Sequence, residues 1–271
     1  MSGDADKWAE LFELSPPERL FNDVMARCYD RWRFVLSFRI TAKASMDAAT
    51  KQIQADKITF VANMLNDPEF DKVFIDKAKF FEQTPPDKIV EQMTAQTITE
   101  MDLMMNAASV VLVHSILDAA ALDFCRVTAL AAPKDWESVV EKRGVSLAEA
   151  KAINYDQLLD QKLKDYFVQL EREGLLAKAD LLLARCKPEA KWSPMNNYEY
   201  DRDRLERLDK FRHNVIHSDG LGLELKDADD EIDYLMRTAL YFMGLVNKRY
   251  GFRLAPPYLF QVMADFRKPS S

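Results

Sequence analysis

Two of the chain's three histidines stand beside an arginine in the stretch Phe211-Arg212-His213-Asn214-Val215-Ile216-His217-Ser218-Asp219-Gly220. These side chains suit phosphodiester chemistry. A guanidinium is a permanent planar cation that matches phosphate oxygens, and an imidazole accepts or donates a proton near neutral pH. Arg212 and His217 are five residues apart, about 140° around an ideal helix, so they diverge unless the helix loosens there. Gly220 and Gly222 allow such loosening and act as stop signals, which puts His217 in the last turn of a helix or just beyond it.

That helix is legible upstream. Leu205, Leu208, Phe211 and Val215 form an apolar stripe, and Asp203 with Arg207 and Glu206 with Lys210 are oppositely charged pairs four residues apart. Behind it, Asp227-Ala228-Asp229-Asp230-Glu231 places negative charge at a helix start, and Lys248-Arg249-Tyr250-Gly251 places positive charge and a glycine at its end. Far upstream, the apolar run from Ala107 to Leu122 carries Val113-His114-Ser115-Ile116-Leu117-Asp118. His114 and Asp118 share a helix face, so His114 is placed to bond Asp118, or Asp118 to reach towards Arg212. For His114 itself, a satisfied buried histidine is the default.

The pattern Arg212, His213, His217 resembles the signature of the HEPN superfamily, an arginine followed by a polar residue and, four to six residues on, a histidine. The Ser115-x-x-Asp118 element is similar to an acidic element that many HEPN sequences carry on an earlier helix. The resemblance implies an all-α, HEPN-like helical bundle, a homodimer, and in many members a metal-independent endoribonuclease of toxin–antitoxin, anti-phage or CRISPR systems. It assigns catalysis to Arg212 and His217, with His213, Asn214 and Asp118 in support and no metal or cofactor. RNA would be cleaved by attack of the ribose 2′-hydroxyl, with a regulatory or antitoxin protein as a further partner.

Composition agrees with an α-helical domain. The 271 residues are 48% hydrophobic and include only seven glycines, and no alternating strand pattern stands out. Cys28, Cys125 and Cys186 are far apart, odd in number and set in helical patterns, which suggests neither a disulfide framework nor zinc. The start lacks a basic region followed by an apolar core, and His114, Asp118 and Asp123 make the Ala107–Cys125 run a buried helix rather than a membrane span. A cytoplasmic protein is expected. The net charge of −7 counts against broad nucleic-acid binding but not against a small basic cleft.

In chain order, Ser15-Pro16-Pro17-Glu18 predicts a helix with Ser15 as N-cap and Glu18 as capping-box partner, followed by a stripe at Leu20, Val24, Cys28 and Trp32. Between Thr41 and Lys57 the stripe thins, so the helix is exposed or broken there. Asn66-Asp67-Pro68-Glu69 starts an aromatic helix through Phe70, Val73, Phe74 and Phe81. Residues 1–83 read as an N-terminal helical extension that packs on the core or serves as a dimer or partner surface. Thr84-Pro85-Pro86-Asp87 opens a long central helix towards Ala131, and 84–254 read as the HEPN-like bundle. Within it, 133–198 read as an inserted segment with a capping box at Ser146–Glu149, helices over Tyr155–Glu173 and Leu175–Cys186, and Gly174 between them. Residues 255–271 read as a short helix and tail.

A rival reading needs no catalysis. Arg212 then pairs with a carboxylate such as Asp118 or Asp209, and His217 caps the helix C-terminus, where a cation is favourable. The chain is then a helical interaction module, or a nucleotide-sensing domain with a closed polar pocket.

Overall fold

The computed structural model describes residues 13–67, 82–141, 154–189, 192–195, 198–217, 225 and 227–254. The aromatic stretch Phe70–Phe81, the Ser146–Glu149 capping box, Gly220, Gly222 and the expected C-terminal helix lie outside them. The described residues form seven α-helices and no strand: α1 (Pro16–Asn66), α2 (Pro86–Ala131), a 3₁₀ turn (Pro133–Trp136), α3 (Glu137–Val140), α4 (Tyr155–Leu170), α5 (Leu175–Cys186), α6 (Arg202–His217) and α7 (Ala228–Tyr250).

The central element is α2. Helices α1, α4, α5, α6 and α7 all pack against it. From Ala107 onwards it is apolar on several faces, which suits a helix with neighbours on several sides. Val110, Leu117, Ala121 and Phe124 are inaccessible to solvent. This stretch is long and apolar enough to cross a membrane, yet more than half of it is buried inside the protein.

Helix α1 starts as its sequence predicts, with Ser15 and Glu18 closing a capping box. Its first half buries Phe21, Val24, Met25, Cys28, Trp32 and Val35 in the main core, and Phe21 meets Phe124 at 5.9 Å between ring centroids. Of the roles open to the N-terminal segment, packing on the core is the one this half takes. The second half runs on unbroken, but after Val35 only Val61 is buried, and Ile40 and Phe60 remain 73% and 54% exposed. The segment after Pro133 shares the same core through Trp136, Leu159, Phe167, Leu175 and Leu182.

Glu18 also ties the two ends of the described chain together. It accepts from the Ser15 backbone N–H at 2.8 Å and from the Arg253 backbone N–H and guanidinium at 3.1 to 3.2 Å. The Arg253 guanidinium, and to a smaller extent Ser15, lower its carboxyl from 4.5 to about 2 against the opposing effect of burial. A depressed carboxyl stabilises the fold fully above the unfolded value near 4.5, and that contribution is lost as pH falls towards 2. Because Arg253 is 60% exposed and solvent screens the pair, that contribution is about 1–2 kcal/mol. Glu18→Gln is expected to lower the urea midpoint at pH 7 and not at pH 2; equal loss at both would overturn the linkage.

Gly244 of α7 lets the Trp192–Pro194 loop approach. A Cβ there would lie 2.6 Å from Pro194 Cγ and 2.8 Å from Pro194 Cβ. Gly244→Ala is therefore expected to cost about 1–3 kcal/mol through overpacking, read as a lower urea midpoint. An unchanged midpoint would mean that the loop yields freely.

Candidate functional site

Helix α6 is anchored at its start and exposed at its end. Asp201 caps it by accepting from Arg204 N–H at 2.9 Å, and the Tyr234 hydroxyl donates to the Asp201 carbonyl at 2.5 Å. Arg204 lies 4.3 Å from the Tyr234 ring centroid and bonds Glu231 at 2.7 Å and Asp230. Leu205 and Leu208 are buried, Phe211 is half-buried against the core, and Glu206 pairs with Lys210 at 2.8 Å. The helix holds its form to His217, its last described residue.

An unbroken helix keeps Arg212 and His217 on different sides. The residue that shares a face with His217 is His213, and the two rings stand 4.4 Å apart between centroids, tilted by 48°. His213, Asn214 and His217 are exposed, whereas Arg212 is half-buried with its Nε enclosed and without a hydrogen-bond partner among the described residues. The site thus presents two imidazoles outward on the last described turn of α6, with a guanidinium to one side.

One turn before His213 stands Asp209, whose part the sequence reading left to the non-catalytic alternative. His114 of α2, fully buried, places Nε2 3.1 Å from Asp209 Oδ1, within ion-pair reach but off the direction of a hydrogen bond. The His114 ring is the largest cause that holds the Asp209 carboxyl below its ordinary value; burial opposes it, and the charges of Arg212 and His213 add to it. The N-terminus of α5 also comes close, since a Cβ on Gly174 would lie 3.6 Å from Asp209 Oδ2. A carboxylate is favoured beside that end of a helix. The spacing Asp209, His213, His217, four residues each, was the available signal for this ladder.

Asp118 pairs at 2.7 Å with Lys178 of α5, a lysine only 1% exposed, and among the described residues no hydrogen bond or ion pair joins it to Arg212 or His114. A buried ammonium needs an anionic partner, and Asp118 is the one α2 presents to it. His114 is buried as expected but not satisfied: neither ring nitrogen has a hydrogen-bond partner among the described residues, and its acidic neighbour is Asp209 rather than Asp118.

The cysteines do not belong to this site. All three are buried and free, and burial pushes Cys28 and Cys186 up to about 12 and Cys125 higher still, so none is a ready thiolate. An open cleft of about 720 Å³ lies at the start of α6, lined by Tyr198, Tyr200, Arg202, Arg204, Asp230 and Tyr234 among others, and it excludes the motif residues. It is not a closed pocket, and its arginines are engaged by Asp180, Asp230, Glu231 and Asp233. The chain matches no protein-family model, no curated protein and no solved structure.

Proposed function

We propose that this chain is a metal-independent endoribonuclease of the HEPN type, a cytoplasmic toxin or anti-phage effector that works as a homodimer. The observation that carries the reading is the exposed His213–His217 pair at the end of α6 with Arg212 beside it. In this reading His217 transfers the proton of the attacking 2′-hydroxyl or of the leaving 5′-oxygen, and Arg212 stabilises charge on the phosphorane. His213 orients the phosphate, and Asp209, rather than Asp118, is the acid beside the arginine.

Two proton transfers occur on opposite sides of the phosphorus. Rings 4.4 Å apart are in contact and leave no room for a phosphate between them. The second imidazole therefore comes from a second copy across a two-fold axis. The test is cleavage of total RNA and tRNA in EDTA: cleaved RNA with 5′-hydroxyl ends supports the reading, and intact RNA with a folded dimer argues against it.

A second reading, a non-catalytic interaction module binding a protein partner, draws on the outer halves of α1 and α2. There Ile40, Ile58, Phe60 and Met104 are left more than half exposed. It predicts a dimer or hetero-complex whose formation is indifferent to His217→Ala.

A further inference from the structure

We propose that His213 and His217 form a chelating site for a late first-row divalent cation, Zn²⁺ or Cu²⁺, that competes with the proton transfer assigned to His217. The chelation stands on geometry alone. Only its inhibitory consequence rests on the ribonuclease reading.

The distances favour a chelate. Metal–imidazole bonds of about 2.0–2.1 Å place an ion about 3.2 Å from each ring centroid, so two imidazoles bound cis to one ion hold their centroids about 4.5–5.2 Å apart. The two rings stand 4.4 Å apart. Small rotations about the side-chain torsions, which their exposure permits, open them to that separation. Histidines four residues apart on one helix face are a spacing that zinc sites use.

The surroundings favour a cation as well. The pair lies on the last described turn of α6, on the C-terminal half of the helix, where a cation is better tolerated than at its start. Neither ring makes a hydrogen bond or ion pair within the described residues, and the ring nitrogens are therefore open to a metal. Asp209, one turn back, is close enough for its charge and that of His213 to act on each other, which favours a cation at His213. Among the described residues no group of three or more metal-ligating side chains forms, so these residues supply two protein ligands and the ion is exchangeable. Nitrogen donors select Zn²⁺ and Cu²⁺ over Mg²⁺ or Ca²⁺.

A bound ion occupies the lone pair that a general base needs. Cleavage would then be active in EDTA and suppressed by Zn²⁺. The test is titration of the full chain with Zn²⁺ alone and with Cu²⁺ alone in a non-chelating buffer, followed by calorimetry and by the nitrogen hyperfine pattern of bound Cu²⁺. We expect one equivalent per chain, weakened about a hundredfold by His213→Ala and equally by His217→Ala, because each removes one arm of the chelate. Both substitutions are on exposed residues, and circular dichroism checks that the helices remain. No binding of either ion, or binding indifferent to both substitutions, overturns the proposal. RNA cleavage that persists with one equivalent of Zn²⁺ on the pair supports the metal site and overturns the catalytic assignment of these histidines. Cleavage lost in His217→Ala, by a chain that binds no metal, does the reverse.

Discussion

Alanine in place of His217 is expected to reduce RNA cleavage in EDTA by about 10²–10⁴-fold, the range for loss of a general acid or base. The fold should be unaffected, since the ring is exposed and makes contact only with His213 among the described rings. Arg212→Ala is expected to cost about 10²–10³-fold through lost charge stabilisation. Its effect on stability should be small as well, because its buried Nε bonds to nothing in the described residues. Arg212→Lys is the sharper control. A lysine keeps the charge without the planar fork, so it should restore little if two phosphate oxygens are held together. The measurement is the initial rate on a defined RNA with product ends mapped, alongside urea midpoints for each variant. Rates within threefold of the parent chain for both alanine variants would remove the site.

His213→Ala should fall between these outcomes. The ring touches His217 and lies one turn from Asp209, so its loss alters how His217 is held without removing the proton-transfer group. A rate loss seen mainly in KM would mark it as a phosphate contact. One seen mainly in kcat would mark it as the residue that aligns His217.

The fold was readable wherever its signals were local. Ser15, Pro16 and Glu18 name the start of α1, and the acidic start and glycine end of α7 match Asp227 as N-cap and Gly251 in the left-handed conformation. Such signals operate within one or two turns and need no knowledge of what lies across the core. Thinning of the apolar face between Thr41 and Lys57 predicted exposure as readily as a break, because a helix persists without burial when its residues favour it. The site divides along the same line. The spacing of four residues that unites His213 with His217 lies open in the sequence, whereas the resemblance directs attention to Arg212 and His217. The acidic partners were not readable in this way. Whether Asp118 meets His114, Arg212 or Lys178 depends on how α5 and α6 cross α2, a matter of ridges and volumes on three helices rather than of any one stretch.

That crossing makes Asp118 the origin of the largest stability effect expected. Lys178 is 1% exposed, and its ammonium stands 2.7 Å from Asp118, which is 27% exposed. Asp118→Ala leaves a buried cation without its partner and is expected to cost about 2–4 kcal/mol, tempered by the partial exposure of the carboxylate. Lys178→Met replaces the ammonium with an apolar side chain of similar length in an apolar setting and should change stability by less than about 1–2 kcal/mol. In the double variant most of the loss should therefore be recovered, since neither charge remains. Urea midpoints for the two single variants and the double variant close the cycle. The same variants decide which acid serves the guanidinium. If Asp118 held Arg212, as the resemblance implies, the double variant would regain stability but not cleavage. With Asp209 in that place, stability and cleavage return together, because restoring the packing of α5 on α2 restores the surface against which α6 and its histidines are set.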